Sequence, residues 1–182
     1  MTAAALDDLR TARRIMCAGV TGSGKSTLAA ALAQQLGLPL VLIDDLCWEP
    51  GWVQPERAEL DARVLPVLDR GAYVLDSVYG IHAAQALERV DVVVALDYPR
   101  AISLMRLLRR TARRIRTREL ICNGNVETLS RALARDSIIA WHFHSWADKR
   151  ARMRGWHADP TAPPVLLLRR PRDADALLAD LA

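Results

Sequence analysis

Residues 19 to 27 read Gly19-Val20-Thr21-Gly22-Ser23-Gly24-Lys25-Ser26-Thr27. This stretch fits the pattern G-x-x-x-x-G-K-[ST] without a mismatch. An apolar run at residues 15 to 18 precedes it and a helical pattern at residues 28 to 36 follows it, which is the context that the pattern requires. We therefore predict a strand, a glycine-rich loop and a helix in succession, because a plain connecting turn does not need Lys-Ser-Thr after its glycines.

A loop of this kind binds phosphate groups. Glycines allow the backbone to bend so that successive N–H groups point inward at the positive end of a helix. We expect Lys25 to reach the β- and γ-phosphates of a nucleotide and the Ser26 hydroxyl to bind the Mg²⁺ between them. The predicted nucleotide-binding residues are Gly22, Ser23, Gly24, Lys25, Ser26 and Thr27.

The length and composition indicate a single α/β domain. The chain has 182 residues, of which 51% are hydrophobic and 25% are charged. We assign residues 1–182 to one domain, with a short N-terminal arm at residues 1–13. No apolar run reaches the ~18 residues of a membrane span, and the N-terminal residues show no signal-peptide pattern. These features predict a cytoplasmic protein without a membrane partner.

Positive charge is concentrated in one segment. The chain has a formal net charge of +4, yet residues 100 to 118 contain eight arginines and no acidic residue. Such a segment favours an anionic partner. The arginines are Arg100, Arg106, Arg109, Arg110, Arg113, Arg114, Arg116 and Arg118.

Strands and helices alternate along the sequence. The patterns predict strands at residues 14–18, 40–44, 72–76, 91–96 and 165–168. They predict helices at residues 25–36, 55–70, 82–89, 126–154 and 173–181, and another that starts at Pro99. This alternation is typical of a parallel sheet with helices on both faces, which binds its ligands at the carboxyl ends of the strands.

Four aspartates follow the predicted strands. Asp76 ends the third strand and is the predicted metal ligand, because Mg²⁺ beside a triphosphate needs carboxylate oxygens. Asp44 and Asp45 end the second strand, and either one could accept the proton of an attacking hydroxyl. We prefer Asp45 slightly for this role, and we interpret Asp97 as structural.

Aromatic residues occur in two groups. Trp48 and Trp52 follow the paired aspartates in a loop with proline and glycine, where they would either contact a planar or apolar substrate or pack the loop. The second group lies on the predicted helix at residues 126–154, and we interpret it as structural, because residues two apart on a helix make a poor metal pair. Its members are Trp141, His142, Phe143, His144 and Trp146.

The arginine-rich helix has three possible roles. It could be a solvated surface, or a nucleic-acid-binding surface, although it lacks interleaved aromatic residues. The third possibility is a lid, at about residues 106–126, whose guanidinium groups cover the polyphosphate and neutralise charge during phosphoryl transfer. The catalytic candidates of such a lid are Arg109, Arg110, Arg113 and Arg114.

With these residues in view, the sequence resembles the small P-loop kinases of the nucleoside and nucleotide kinase group. In particular, it resembles the adenylate-kinase-like proteins that are often labelled DNA topology modulation proteins. The resemblance covers most of the chain and includes the arginine-rich segment. The residues that carry it are 19–27, 42–52, 74–76, 96–100 and 123–128, together with Tyr79.

The resemblance implies a three-layer P-loop NTPase fold with a five-stranded parallel sheet in the order 2-3-1-4-5 and a mobile lid. It also implies ATP with Mg²⁺, and transfer of the γ-phosphoryl group to a nucleotide, a nucleoside or another small hydroxyl compound. The alternative is a nucleotide-gated nucleic-acid-binding or regulatory protein with weak ATPase activity. The predicted acceptor-site residues are Asp44, Asp45, Trp48, Trp52 and Tyr79.

Overall fold

A five-stranded parallel sheet forms the centre of the protein in the computed structural model, which describes residues 3 to 181 and, for side chains, residues 6 to 181. The strand order is β2-β3-β1-β4-β7. Strands β5 and β6 belong to a separate hairpin, so β7 is the fifth strand of this sheet in chain order and the predicted order 2-3-1-4-5 is confirmed. Every neighbouring pair is parallel. The strands are β1 (Arg14–Gly19), β2 (Leu40–Val41), β3 (Tyr73–Leu75), β4 (Val92–Leu96) and β7 (Val165–Leu168).

Helices cover both faces of this sheet, and a small antiparallel hairpin lies outside it. The hairpin strands are β5 (Leu120–Ile121) and β6 (Asn125–Val126). The helices are α1 (Ala3–Thr11), α2 (Lys25–Leu36), α3 (Ile43–Cys47), α4 (Arg57–Leu68), α5 (Ala83–Leu87), α6 (Arg100–Thr117), α7 (Leu129–Ala132), α8 (Ile138–Ala158) and α9 (Pro171–Leu181), with a 3-10 turn at Gly80–His82 before α5.

Alternating side chains of β1 divide the core into two clusters. Ile15 and Cys17 pack with residues of α2 and α9, whereas Met16 and Ala18 pack on the opposite face with α4 and α8. This division follows from the period of two along a strand. It places α2 and α8 on opposite sides of the strand that leads into the glycine-rich loop. No helix between residues 3 and 181 is long and apolar enough to cross a membrane.

The N-terminal segment is a packed helix over the part that the structure describes. Within α1, Leu9 is fully buried, and Arg10 donates a hydrogen bond of 2.6 Å to the Asp180 carbonyl oxygen at the end of α9. Residues 1 and 2 of the predicted arm lie outside the described residues. Leu9 and Ala12 of this arm belong to the core cluster that includes the buried residues of α2.

The predicted strand at residues 40–44 is wrong beyond Val41. The chain turns into α3, where the Ile43 N–H donates to the Asp76 carboxylate at 2.9 Å and the Ile43 side chain is buried. A short apolar run does not distinguish a strand from a buried helical turn by periodicity. Asp44 and Asp45 consequently lie on a short helix, and the expectation that they face opposite ways as strand neighbours does not apply.

The predicted helix at residues 126–154 is also wrong in its first part. Residues 120 to 126 form the hairpin, α7 follows, and α8 begins at Ile138 with Ser137 as its N-cap, whose Oγ accepts the Ala140 N–H at 3.2 Å. A serine cap is a helix-start signal that the sequence contains. The cap fixes where α8 begins.

Candidate active site

The glycine-rich loop joins β1 to α2 at the carboxyl edge of the sheet. Gly22 and Gly24 have φ angles of 81° and 101°, in the left-handed region that favours glycine. Gly24 is the N-cap of α2, and no side chain caps the first N–H groups of this helix. These donors therefore remain available at the positive end of the helix dipole, where an anion binds favourably.

Helix α6 packs directly against this loop. A Cβ atom at Gly22 would lie 2.3 Å from the Ser103 carbonyl oxygen and 2.8 Å from the Leu107 Cβ, so only glycine fits this close approach. The Arg106 guanidinium donates a hydrogen bond of 2.9 Å to the Ser23 carbonyl oxygen. The arginine-rich helix and the phosphate loop thus form one continuous packing unit.

Lys25 begins α2 and is partly buried. Its ammonium group donates one hydrogen bond, of 3.3 Å, to the Val20 carbonyl oxygen. Burial lowers the pKa of Lys25, while the nearby carboxylates of Asp76 and Asp44 act in the opposite direction. An anion beside this ammonium would offset the cost of burying its charge.

The side chains of Ser26 and Asp76 form a direct pair across the loop. The Ser26 hydroxyl donates to Asp76 Oδ2 at 2.6 Å, while Oδ1 accepts the N–H of Ile43. Asp76 is 4% exposed, and burial raises its pKa, although both hydrogen bonds oppose this shift. Among residues 6 to 181, no three His, Cys, Asp or Glu side chains cluster as a metal site. The Ser26 hydroxyl and the Asp76 carboxylate are two hard oxygen donors. Such a small set fits Mg²⁺, because this ion takes its other ligands from phosphate and water.

Asp44 and Asp45 are both exposed residues of α3, and Asp44 contacts Tyr79. The Tyr79 hydroxyl donates a hydrogen bond of 3.0 Å to Asp44 Oδ1. Burial is the largest cause that raises the pKa of Tyr79, and the charge of Asp44 is the second. The same carboxylate is close enough to raise the pKa of Lys25, whereas burial and then Asp44 raise the pKa of Asp45.

The two tryptophans after α3 pack against each other and against the hairpin. Their rings form an edge-to-face pair with centroids 5.8 Å apart. The indole N–H of Trp52 donates to the Val126 carbonyl oxygen at 3.3 Å. These contacts pack the loop against the hairpin, and the predicted contact of Trp48 and Trp52 with a substrate stays a prediction.

Two asparagines fasten the hairpin to the loop that follows α3. The Asn123 amide donates hydrogen bonds of 2.7 Å and 2.8 Å to the carbonyl oxygens of Asp45 and Trp48. Asn125 is buried, donates to the Glu49 carbonyl oxygen at 2.9 Å and accepts the Trp52 N–H at 2.8 Å. The hairpin therefore connects the arginine-rich segment to the predicted acceptor loop.

The arginines of α6 divide into two rows. Arg106, Arg110 and Arg114 form the inner row, in which Arg110 is partly buried with its Nε atom unpartnered and Arg114 contacts Glu127 at 3.3 Å. Burial is the main cause that lowers the pKa of Arg110, and the charge of Arg114 adds to it. The outer row, which is exposed, consists of Arg109, Arg113 and Arg116.

The four lid candidates differ in their exposure. Arg109 and Arg113 are exposed, whereas Arg110 and Arg114 are partly buried. Arg113 is 60% exposed and contacts Glu119 at 3.1 Å. The assignment of these four arginines as catalytic residues of a lid stays a prediction.

Two further side chains position α8. Asp97 is fully buried and contacts Arg150 at 2.5 Å and Arg154 at 2.9 Å, in agreement with its predicted structural role. His142 donates from Nδ1 to the Thr21 carbonyl oxygen at 3.0 Å, and burial lowers its pKa. Sequence reasoning missed this contact, since 121 residues separate the partners.

Two of the aromatic residues next to His142 lie outside the core. Trp141 is 51% exposed and Phe143 is 50% exposed, so neither belongs to the core. The Arg100 guanidinium lies 4.4 Å from the centre of the Phe143 ring and joins α6 to α8. Phe143 therefore contacts α6, and Trp141 borders a cavity beside α8.

No protein-family model matches the sequence, and no curated protein matches it.

Solved structures share its fold. Shikimate kinase from Acinetobacter baumannii in complex with shikimate is 17% identical with a TM-score of 0.58, over 97% of this chain and 94% of that chain. A gluconokinase from Sinorhizobium meliloti 1021 is 16% identical with a TM-score of 0.52, over 93% of each chain. Deoxyadenosine kinase from M. mycoides with bound dCTP is 11% identical with a TM-score of 0.50, over 91% of this chain and 96% of that chain. At these identities the likeness shows the fold alone, which is the α/β three-layer fold of P-loop kinases.

Proposed function

We propose that this protein is an ATP-dependent phosphotransferase that moves the γ-phosphoryl group, with the assistance of Mg²⁺, to the hydroxyl of a small acceptor. The observation that supports this proposal most strongly is that three features lie together at one edge of the sheet. These are the uncapped start of α2, the ammonium of Lys25, and the pair of Ser26 and Asp76. Together they supply the amides, the cation and the hard oxygen ligands that a nucleoside triphosphate with its metal requires.

The Ser26 hydroxyl and the Asp76 carboxylate would hold the magnesium ion. When bound, Mg²⁺ neutralises charge that develops on the phosphate oxygens. Ile43 fixes the orientation of the Asp76 carboxylate through its N–H. Lys25 places its charge on the β- and γ-phosphates, and the amides of residues 22 to 27 hold the phosphate chain.

Asp44 is the proposed proton acceptor for the attacking hydroxyl. The hydrogen bond from Tyr79 orients this carboxylate, and its electrostatic effect on the pKa of Lys25 supports a position near the γ-phosphate that Lys25 would bind. We therefore assign the role to Asp44, although the sequence favoured Asp45 slightly. Arg110 and Arg114 of the inner row would neutralise the transferring group, and the hairpin would exclude water.

The acceptor class is not determined by the fold. Known structures with this fold include kinases named for gluconate, shikimate and deoxyadenosine. The resemblance to the adenylate-kinase-like DNA topology modulation group supports a nucleotide or nucleoside as one hypothesis. Measuring transfer to a broad acceptor panel distinguishes these classes.

The test starts with nucleotide binding. Isothermal titration calorimetry at millimolar Mg²⁺ should detect ATP binding to the wild-type protein, and phosphorus NMR should detect phosphoryl transfer to a suitable acceptor. Lys25→Met should reduce turnover by roughly 100-fold or more, because it removes a charge that the developing transition state needs. The proposal is wrong if neither ATP nor GTP binds, or if a broad acceptor panel yields only slow hydrolysis.

Nucleic-acid binding is a second candidate, and the outer row of exposed arginines on α6 favours it. It predicts retention of DNA or RNA that weakens steeply with salt, since arginine contacts to phosphate release counterions. It also predicts that ATP changes this retention. Fluorescence anisotropy with a labelled oligonucleotide measures both effects, and indifference to ATP would reject a nucleotide-gated function.

A further inference from the structure

One face of α8 borders two adjoining cavities beside the phosphate loop. The side chains of this face recur three and four residues apart, which is the spacing that aligns side chains along a helix. They are Trp141, His144, Ser145, Asp148, Lys149, Arg152, Met153 and Trp156. Asp97 holds the opposite side of the helix through Arg150 and Arg154, and thereby fixes this face toward the cavities.

The inner cavity lies at the carboxyl ends of β1 and β3. It has a volume of about 30 Å³ and is bordered by Gly19 and by Ser77, which follow these strands. The outer cavity has a volume of about 250 Å³ and reaches Gly80 on the far side. Lys149 and Arg152 border both cavities, so the two spaces form one path from the protein surface toward the phosphate loop.

These two cations have no ionic partner in the described structure. Among residues 6 to 181, neither Lys149 nor Arg152 takes part in an ion pair or a side-chain hydrogen bond, whereas their neighbours Arg150 and Arg154 both contact Asp97. One carboxylate, that of Asp148, borders the outer cavity. Charge at this path is therefore positive, and an oxyanion is the chemical group that it attracts.

The side chains of Lys149 and Arg152 both extend toward this path. A Cβ atom at Gly80 would lie 3.3 Å from Arg152 Nη1, so the guanidinium reaches across to the loop after β3. The Lys149 ammonium lies 5.7 Å from the centre of the exposed Trp141 ring. Burial, followed by the positive charge of Lys25, lowers the pKa of Lys149 to about 8, while Asp44 acts in the opposite direction. Lys149 is therefore near both the phosphate loop and the proposed base.

We propose that Lys149 and Arg152 bind the oxyanion of the acceptor, which is a carboxylate or a phosphate group. This inference rests on the proposed phosphotransferase function and adds the acceptor class to it. The anion would lie against α8, its carbon skeleton would contact Trp141, and its hydroxyl would point toward Asp44. The volume of about 250 Å³ suits a small molecule rather than a polymer.

The test compares acceptors that differ in charge alone. One arm pairs hydroxycarboxylates with their primary amides, and the other pairs sugar phosphates and nucleoside monophosphates with the parent sugars and nucleosides. We expect the anionic member of a productive pair to have a kcat/KM higher by about tenfold or more, because a charge-assisted pair contributes at least that much. The productive arm identifies whether the anion is a carboxylate or a phosphate.

Variants then test whether Lys149 and Arg152 cause the preference for anionic acceptors. Lys149→Met and Arg152→Met should each raise the KM of the anionic acceptor by about tenfold. Both should change the Kd of ATP and the kcat/KM of the neutral member less than they change the kcat/KM of the anionic member. Arg172→Met, on an exposed position of α9 across the sheet, is the matched control and should change nothing. Circular dichroism reports whether each variant is folded.

A second readout does not depend on turnover. An anion beside Lys149 raises its pKa from about 8, so acceptor binding near that pH should take up protons, which calorimetry in buffers of different ionisation enthalpy measures. If ATP fails to bind, the proposed function is wrong. If ATP binds and transfer occurs, but without charge preference, or if Lys149→Met impairs neutral and anionic acceptors equally, the acceptor site alone is wrong.

Discussion

Several polar side chains at the phosphate loop have fewer partners than their burial requires. The Ser23 hydroxyl is buried without a hydrogen-bond partner, and the ammonium of Lys25 has one. Leaving buried donors unpaired costs free energy, on the order of 1–3 kcal/mol for each group. A bound polyphosphate would provide acceptors for these donors, so local stability and ligand binding depend on the same residues.

Gly22→Ala should destabilise the protein by roughly 2–4 kcal/mol, because it adds a left-handed alanine and a steric conflict with α6. The added Cβ would lie 2.3 Å from the Ser103 carbonyl oxygen. Gly37→Ala is the matched control, since its φ of 64° is also left-handed but nothing lies within 4 Å. Urea denaturation measures both variants, and an equal loss of unfolding free energy in the two would contradict the packing argument.

His142 should make stability depend on pH. Burial lowers its pKa below the ordinary 6.5, with smaller contributions from Arg100 and Lys149. The unfolded chain therefore binds more protons, and the free energy of unfolding should fall as the pH drops below about 6.5.

The comparison for this prediction is His142→Asn, which keeps an N–H donor for Thr21 but does not titrate. Unfolding free energies in urea at about pH 7.5 and about pH 5.5 should show a larger acid loss in the wild type than in the variant. Equal losses would show that His142 does not contribute to the acid sensitivity.

At the scale of elements, α6 combines two surfaces with different surroundings. Its inner row contacts the phosphate loop and the hairpin, and its outer row is exposed. The spacing of arginines in the sequence is compatible with either row as the functional one. Packing of Gly22 against Ser103 and Leu107 fixes the rotation of the helix, and Arg106 of the inner row then contacts the loop.

Arg110→Met should lower kcat by roughly 10- to 100-fold and change the Kd of ATP less, because the inner guanidinium would act on charge that develops during transfer. Arg116→Met, on the outer row of the same helix, is the control and should keep wild-type kinetics. Steady-state assays with calorimetric ATP titrations separate the two effects. An equal change of kcat and ATP affinity in Arg110→Met would argue for simple nucleotide binding.

At the scale of the whole molecule, the sheet brings separate segments to one edge. Parallel strands β1 and β3 end side by side, which places the loop at residues 19–27 next to Asp76. Helices α6 and α8 then enclose this edge from either side, through Arg106 and His142. A ligand at this edge would contact several segments at once and should stabilise the entire domain.

A non-hydrolysable ATP analogue with Mg²⁺ should raise the thermal midpoint by roughly 5–10 °C at about 100 times its Kd. The shift follows from mass action, since the analogue binds the folded state alone. Differential scanning calorimetry measures it, with Lys25→Met and adenosine as controls that should give smaller shifts. A wild-type midpoint that does not respond to the analogue would contradict nucleotide binding at the assembled edge.

Local patterns were sufficient for much of this architecture. The loop at residues 19–27, helix α2 and the buried strand β4 lie where periodicity and turn residues predict them, because contiguous residues carry these signals. Residues 42–44 and the first part of the helix predicted at residues 126–154 were interpreted incorrectly. At residues 42–44 a contact with a distant residue, the hydrogen bond between Ile43 and Asp76, overrides local preference, whereas the start of α8 follows the local cap signal of Ser137.

The sequence alone thus determines the phosphate loop, the α/β fold and the position of Asp76 after its strand, because each depends on residues that are close along the chain. Tertiary packing decides that Arg106 of α6 contacts the loop, that Asp44 rather than Asp45 contacts Tyr79, and that Lys149 and Arg152 of α8 border the two cavities. These features depend on the rotation of helices against the sheet. That rotation is set by long-range contacts, such as Asp97 with Arg150, whose partners lie 53 residues apart.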